Sequence, residues 1–263
     1  MRQRLRIDLA YDGAPFSGFA RQPDQQTVQG VLEGALHRLF RQDLKTVCAG
    51  RTDSGVHALA QVIHVDVQAD AEHAQRALDD LDVLRFRLDR NVGSAITIWK
   101  VHRVGPTFDA RFSARGRRYR YRVVDAPVID PLARFNHWHI KTRLDVAAMR
   151  AAAAHLVGEH DFAALCRRSE GKSTVRRLDR VAISRPVPGT LHVRLAGAAF
   201  CHQQVRAILG CLVEVGRERR APEWMGQVLA SRDRSVAGPV APPHGLTLEG
   251  VSYGRRWPAA PPK

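Results

Sequence analysis

Cys48 to Val65 reads C-A-G-R-T-D-S-G-V-H-A-L-A-Q-V-I-H-V. Two apolar, β-prone segments, 46–49 and 62–67, flank a polar knot in which Arg51, Thr52, Asp53, Ser54 and Gly55 follow Gly50 without a break. Gly50 and Gly55 are free to adopt positive φ, so the chain can turn sharply and leave Asp53 at an exposed tip. The Arg51 guanidinium two residues away favours the charged form of the Asp53 carboxylate, which is then available as a nucleophile or acceptor. Read alone, Asp-Ser-Gly is also a common turn sequence.

Upstream, Leu5, Ile7, Leu9 and Tyr11 alternate with Arg6, Asp8 and Ala10, a half-buried strand ended by Asp12-Gly13. Val28, Val31, Leu32, Ala35, Leu36 and Leu39 then recur at helical spacing behind Thr27 as N-cap. Downstream, Asp70 caps a helix through Ala74, Ala77, Leu78 and Leu81, and 95–104 reads as a strand. Strand, helix, strand, strand, helix, strand is the split βαβ plan of ferredoxin-like and RNA-recognition folds. The plan recurs as strand 118–124, helix 145–157, strands 174–184 and 190–195, helix 200–215 and a last strand 246–253. The expected class is therefore α+β. Two related half-domains, 1–104 and 105–263, have a mainly antiparallel sheet, helices on one face and a ligand cleft on the other. A short helix is expected over 222–231, the loop 238–245 is expected to be ordered only if it packs on something, and the Pro-rich tail 257–263 is expected to be disordered.

The chain has 263 residues and a net charge of +15. Residues 1–104 carry 14 basic and 13 acidic side chains, whereas 105–263 carry 27 and 13, so one half holds nearly all the excess. Such a face concentrates polyanions and supplies phosphate contacts, most of them from arginine. No apolar run approaches the length of a membrane span and no signal peptide is read, so a cytoplasmic location is expected. Cys48, Cys166, Cys201 and Cys211 lack metal-ligand spacing and read as free buried thiols; His137 and His139 find no third ligand, and no metal is expected. Gly171-Lys172-Ser173 is no phosphate loop, because Cys166 stands where its first glycine is required.

Residues 49–58, A-G-R-T-D-S-G-V-H-A, resemble the signature of the tRNA pseudouridine synthase A family, with Ser54 where many members carry alanine. The resemblance implies that Asp53 is the catalytic nucleophile and Arg51 its companion. Residues 11–22, Y-D-G-A-P-F-S-G-F-A-R-Q, are similar to the family's start, with Phe19 where tryptophan is usual. In 108–121, F-D-A-R-F-S-A-R-G-R-R-Y-R-Y, the family's active-site tyrosine falls on Tyr119. In 200–210, F-C-H-Q-Q-V-R-A-I-L-G, the arginine that pairs with the aspartate falls on Arg206. K-S-T-V-R at 172–176 and A-P-P-H-G-L-T-L at 241–248 fall on substrate-side loops. Gln204 stands where an apolar residue is usual, and R-F-R-L-D-R-N at 85–91 replaces a Leu-Pro pattern. Without the resemblance, Tyr119 would be a core aromatic between Arg118 and Arg120, and Arg206 a solvated charge.

The family's activity implies isomerisation of uridine to pseudouridine at tRNA positions 38, 39 and 40 in the anticodon stem-loop, by a homodimer that needs no cofactor. Breaking the N1–C1′ bond develops positive charge at C1′, which one carboxylate can trap or stabilise. Extruding the uridine leaves a gap that Arg51 can fill while Tyr119 holds the base. Two other classes compete: a non-catalytic RNA-binding module, for which Asp53 is dispensable, and an Asp-dependent nucleoside hydrolase or nuclease, which needs further acids or a metal.

Overall fold

Leu5, Ile7 and Leu9 are buried while Arg4, Arg6 and Asp8 are half-buried on the opposite side, and this alternation runs along β1 (Arg2–Tyr11). The computed structural model containing it describes residues 2–70, 72–167 and 170–254, so the Pro-rich tail lies outside the described residues. The chain forms two units, 2–115 with 248–254 and 116–247. They divide eleven residues later than the expected boundary after Val104, and the last strand, β10 (Leu246–Ser252), belongs to the first unit from Leu248 onward.

The first unit continues with α1 (Val28–Phe40), β2 (Thr46–Cys48), β3 (His57–Gln68), α2 (Glu72–Asp79), α3 (Leu81–Asn91) and β4 (Ile96–Val104). Its strands run β4-β1-β3, antiparallel, with β2 also on β3. Thr27 caps α1 as expected, its hydroxyl accepting from the Gly30 N–H. The sequence pattern undercounts the helices here. Asp80 accepts from the N–H groups of Asp82 and Val83 and starts α3, which carries 85–91 and buries Leu84 and Leu88. β3 also begins at His57 rather than Val62. A one-residue bulge between Leu9 and Tyr11, pairing Leu9 with Gln61 but Tyr11 with Ala58, hides the start of the strand from any period-2 reading.

The second unit has β5 (Gly116–Asp125), β6 (Trp138–Ile140), α4 (Val146–Ala154), β7 (Gly158–Asp161), β8 (Val175–Val187), β9 (Thr190–Gly197), α5 (Gln204–Gly216) and α6 (Trp224–Ser231). β5, β9, β8 and β7 are antiparallel neighbours in that order, and β6 joins β5 in parallel. β6, unassigned in the sequence, buries only Ile140. α5 starts at Gln204 rather than at residue 200, because Gln203 is left-handed (φ 63°) and cannot continue a helix backward. Gln204 itself is fully buried, and its Oε1 accepts from the Cys201 N–H at 2.8 Å.

The loop 238–245 does pack, on α5. The Ala241 N–H donates to the Arg206 carbonyl at 3.0 Å, and a Cβ at Gly210 would lie 1.6 Å from the Pro239 oxygen. Gly210→Ala must lift this strap off the helix, and should cost more than about 2 kcal/mol in urea denaturation.

On the polar face of β1, Arg4 makes a forked contact with Asp66, 2.7 Å at both oxygens, and also donates to the carbonyls of Pro106 and Phe108. The Arg4 hydrogen bond outweighs burial and, with help from Arg2, holds Asp66 down at about 2. Because the folded value is depressed, this stabilisation is present above the unfolded carboxylate value of about 4 and lost as the pH falls through about 2. Asp66→Asn should therefore lose about 1–2 kcal/mol at neutral pH, with the gap to wild type closing in urea titrations as the pH approaches 2.

Candidate active site

β2 ends at Cys48 and β3 starts at His57, so 49–56 is a closed excursion between two paired strands. It turns at Gly55, whose φ is 75°; Gly50, expected to share that role, has no positive φ. Asp53 is half-buried rather than an exposed tip, Arg51 is exposed and Thr52 is buried. The Asp53 carbonyl accepts from the Val56 N–H at 3.1 Å, which closes the turn around it.

The excursion is braced from beneath. Gln61, fully buried on β3, donates to the Gly50 carbonyl at 2.7 Å and to the Tyr11 hydroxyl at 3.3 Å, and its oxygen receives the N–H groups of Gly50 and Val62. The Tyr11 hydroxyl in turn lies 2.8 Å from the Thr52 hydroxyl. One side chain thus fixes the entry of the loop directly and its middle through Tyr11.

The segment after β1 braces it from the side. The Phe19 N–H donates to the Thr52 carbonyl at 3.0 Å, the Ser54 hydroxyl to the Phe16 carbonyl at 3.2 Å, and the Gly13 N–H to His57 Nδ1 at 3.1 Å. Two glycines permit the approach: a Cβ at Gly13 would lie 2.1 Å from the Val56 oxygen, and one at Gly18, where φ is 99°, 3.1 Å from the Thr52 oxygen. The Y-D-G-A-P-F-S-G and R-T-D-S-G-V segments, separate in the sequence, are one interlocked element.

Tyr119 and Arg206 belong to the second unit. Tyr119 is 7% exposed on the inward side of β5, its ring edge-on to Phe200 at 5.0 Å. Arg206, in the first turn of α5, donates through Nε to the Ala241 carbonyl at 2.8 Å. Tyr121, two residues beyond Tyr119 and passed over in the sequence, donates to the Pro242 carbonyl at 2.7 Å and leaves no room for a Cβ at Gly245. Burial raises its hydroxyl far above the ordinary tyrosine range, against the opposing charge of Arg206. Its signal in the sequence was only its register with Tyr119.

Phe112 is 80% exposed on a turn held by Asp109, whose carboxylate receives the N–H groups of Arg111 and Phe112 at 2.8 Å. The turn is joined to β3 through the Ala110 N–H on His64 Nδ1 at 2.9 Å. Among the described residues, no cluster of three or more His, Cys, Asp or Glu could hold a metal ion, and no helix is long and apolar enough to cross a membrane.

The sequence profile of the family described as tRNA pseudouridine synthase matches residues 9–113 and 152–254, which include Arg51, Asp53, Arg206 and the bracing segment 11–19 but not Tyr119. A tRNA pseudouridine synthase A of Frankia casuarinae is 49% identical over 252 residues, covering 95% of this chain and 89% of that protein. Counterparts of the same name from Streptomyces avermitilis and Brevibacillus brevis are 44% and 40% identical, covering 95% of this chain in both cases and 88% and 100% of those proteins. These matches put the chain among isomerases that act on tRNA. It belongs to the tRNA pseudouridine synthase family.

If the interlock positions the loop, Gly13→Ala should reduce turnover at least about a hundredfold, since small misplacements of a reacting group cost that much. The check is single-turnover kinetics at saturating tRNA, with circular dichroism to confirm that the sheet persists.

Proposed function

We propose that this chain isomerises uridine to pseudouridine at positions 38, 39 and 40 of the tRNA anticodon stem-loop, with Asp53 as the nucleophile. The observation that carries this reading is the braced loop 50–56, in which buried hydrogen bonds and glycine contacts hold a half-buried carboxylate beside an exposed guanidinium. A turn with a purely structural role has no use for that much positioning around one acid.

The chemistry requires little else from the protein. When N1–C1′ breaks, Asp53 meets the developing charge at C1′; the uracil turns, C5 bonds to C1′, and the C5 proton leaves while N1 gains one, so nothing is added or removed overall. Arg51, planar and exposed, takes the space the extruded base vacates, and Tyr119 presents a ring to the uracil. Arg206 is the arginine that the resemblance pairs with the aspartate. These three roles come from the family resemblance.

The second unit's strands support a polyanionic substrate. Arg120 on β5 stands directly opposite Arg194 on β9, and Arg122 opposite His192. Burial first, then Arg120, Arg194 and Arg122, push His192 down to about 4, so it stays neutral among the guanidinium groups at physiological pH. The phosphates of a folded RNA fit such a face. The protein acts in the cytoplasm as a homodimer, with one tRNA lying across both subunits.

The test is tritium release from tRNA labelled at uracil C5, because forming the new bond must expel that hydrogen. Wild type should release it from the anticodon arm with EDTA present and no cofactor added. Asp53→Asn should fall at least about a thousandfold while binding tRNA within about twofold of wild type. Release that survives the substitution would remove Asp53 from the mechanism, and tight binding without release by wild type would leave an RNA-binding module.

A further inference from the structure

Four cysteines that look alike in the sequence have different surroundings. Cys48 and Cys211 are shut: both are buried, and burial pushes the Cys48 thiol up to about 11 and raises Cys211 as well. Cys201 is half-buried, in the short segment that leads into α5. Cys166 is buried at the end of the 3-10 turn Ala163–Leu165.

The backbone brings these last two together. The Arg167 N–H donates to the His202 carbonyl at 2.9 Å, which joins the segment ending in Cys166 to the one that holds Cys201. The Phe162 N–H donates to the Thr174 carbonyl at 3.1 Å, and the Cys201 thiol points at that carbonyl, 3.8 Å away. Cys201 therefore sits where three segments, 162–166, 174–176 and 200–204, converge. The Cys166 thiol, whose Sγ lies 4.0 Å from the Ala163 carbonyl, favours the Cys201 thiolate, and with the nearby Arg176 charge this outweighs burial and brings Cys201 down to about 7. A thiol that ionises at neutral pH, partly open to solvent and next to a second thiol, is the arrangement in which oxidation proceeds to a disulfide.

We propose that Cys166 and Cys201 form an oxidation site at which a peroxide joins two neighbouring thiols into an intramolecular disulfide. The Cys201 thiolate attacks the peroxide, the O–O bond breaks, and Cys201 becomes a sulfenic acid as hydroxide leaves. The Cys166 thiol then attacks that sulfur, an S–S bond forms, the S–O bond breaks, and water departs with the thiol proton. Two thiols are oxidised by two electrons and one peroxide is reduced to two waters. The bond ties 162–166 to the entry of the helix that carries Arg206, and a dithiol reductant reverses it.

The full chain is exposed to hydrogen peroxide at neutral pH, quenched with N-ethylmaleimide at intervals, digested and analysed by mass spectrometry. In wild type, a linked peptide joining Cys166 to Cys201 should form at least about tenfold faster than any oxidation at Cys48 or Cys211, and dithiothreitol should reverse it. Cys166→Ser should accumulate a sulfenic acid at Cys201 that dimedone traps, and Cys201→Ser should leave Cys166 reduced over the same interval. A Cys201 that reacts no faster than Cys48 and Cys211, or a wild-type sulfenic acid that persists without bridging, overturns the proposal. The wild-type comparison stands even if a serine variant misfolds.

Discussion

Gln61 is the buried side chain that braces the 49–56 loop from beneath. It is fully buried, and an amide has two N–H donors and an oxygen with two lone pairs; here all four are used, on Gly50, Tyr11 and Val62. Buried polar networks of this kind are stable only when complete, because each orphaned group costs about 1–3 kcal/mol. Loss of the amide would orphan the Gly50 carbonyl and loosen Tyr11, and with Tyr11 the Thr52 hydroxyl. Gln61 continues the buried alternation of Ile63, Val65 and Val67, opposite Leu9, and the bulge follows immediately, with one extra β3 residue opposite Ala10.

The second unit solves a different problem with one strand. R-Y-R-Y-R, residues 118–122, puts arginines and tyrosines on alternate faces of β5. Arg118, Arg120 and Arg122 line the polar face, while Tyr119 and Tyr121 point inward. Tyr121 then anchors the strap 238–245 through Pro242, and Arg206 and Gly210 seat the same strap on α5. A loop with three prolines has few backbone donors of its own. Its order comes from side chains that reach its carbonyls.

Periodicity marks most of this architecture in the sequence itself, because β1, α1, β5 and β9 follow their apolar patterns almost residue for residue. Reading failed where structure is set by something other than period. The start of α3 depends on the Asp80 cap, β3 begins behind a bulge, and α5 is cut short by one left-handed residue. At the site, Asp53 and Arg51 were legible because they lie within one short motif. Tyr11 and Gln61 were not, since their partnership with the loop spans 41 and 11 residues and shows no local signal.

The reaction proposed above transfers no group to a cofactor and asks for one carboxylate in the right place. Its constraint is therefore position more than proton inventory, and position here comes from backbone lying against backbone. At Gly13 the segment after β1 touches the loop so closely that no side chain fits between them, and at Gly18 a Cβ would stand 3.1 Å from the Thr52 oxygen on a backbone of positive φ. At such contacts an added methyl cannot be absorbed by a rotamer change, because the atom it meets is a main-chain oxygen and the displacement passes on to the next residue. The glycines beside the loop are then as restricted as the carboxylate proposed to react. The motif around Asp53 is long for this reason, and its glycines are part of the site.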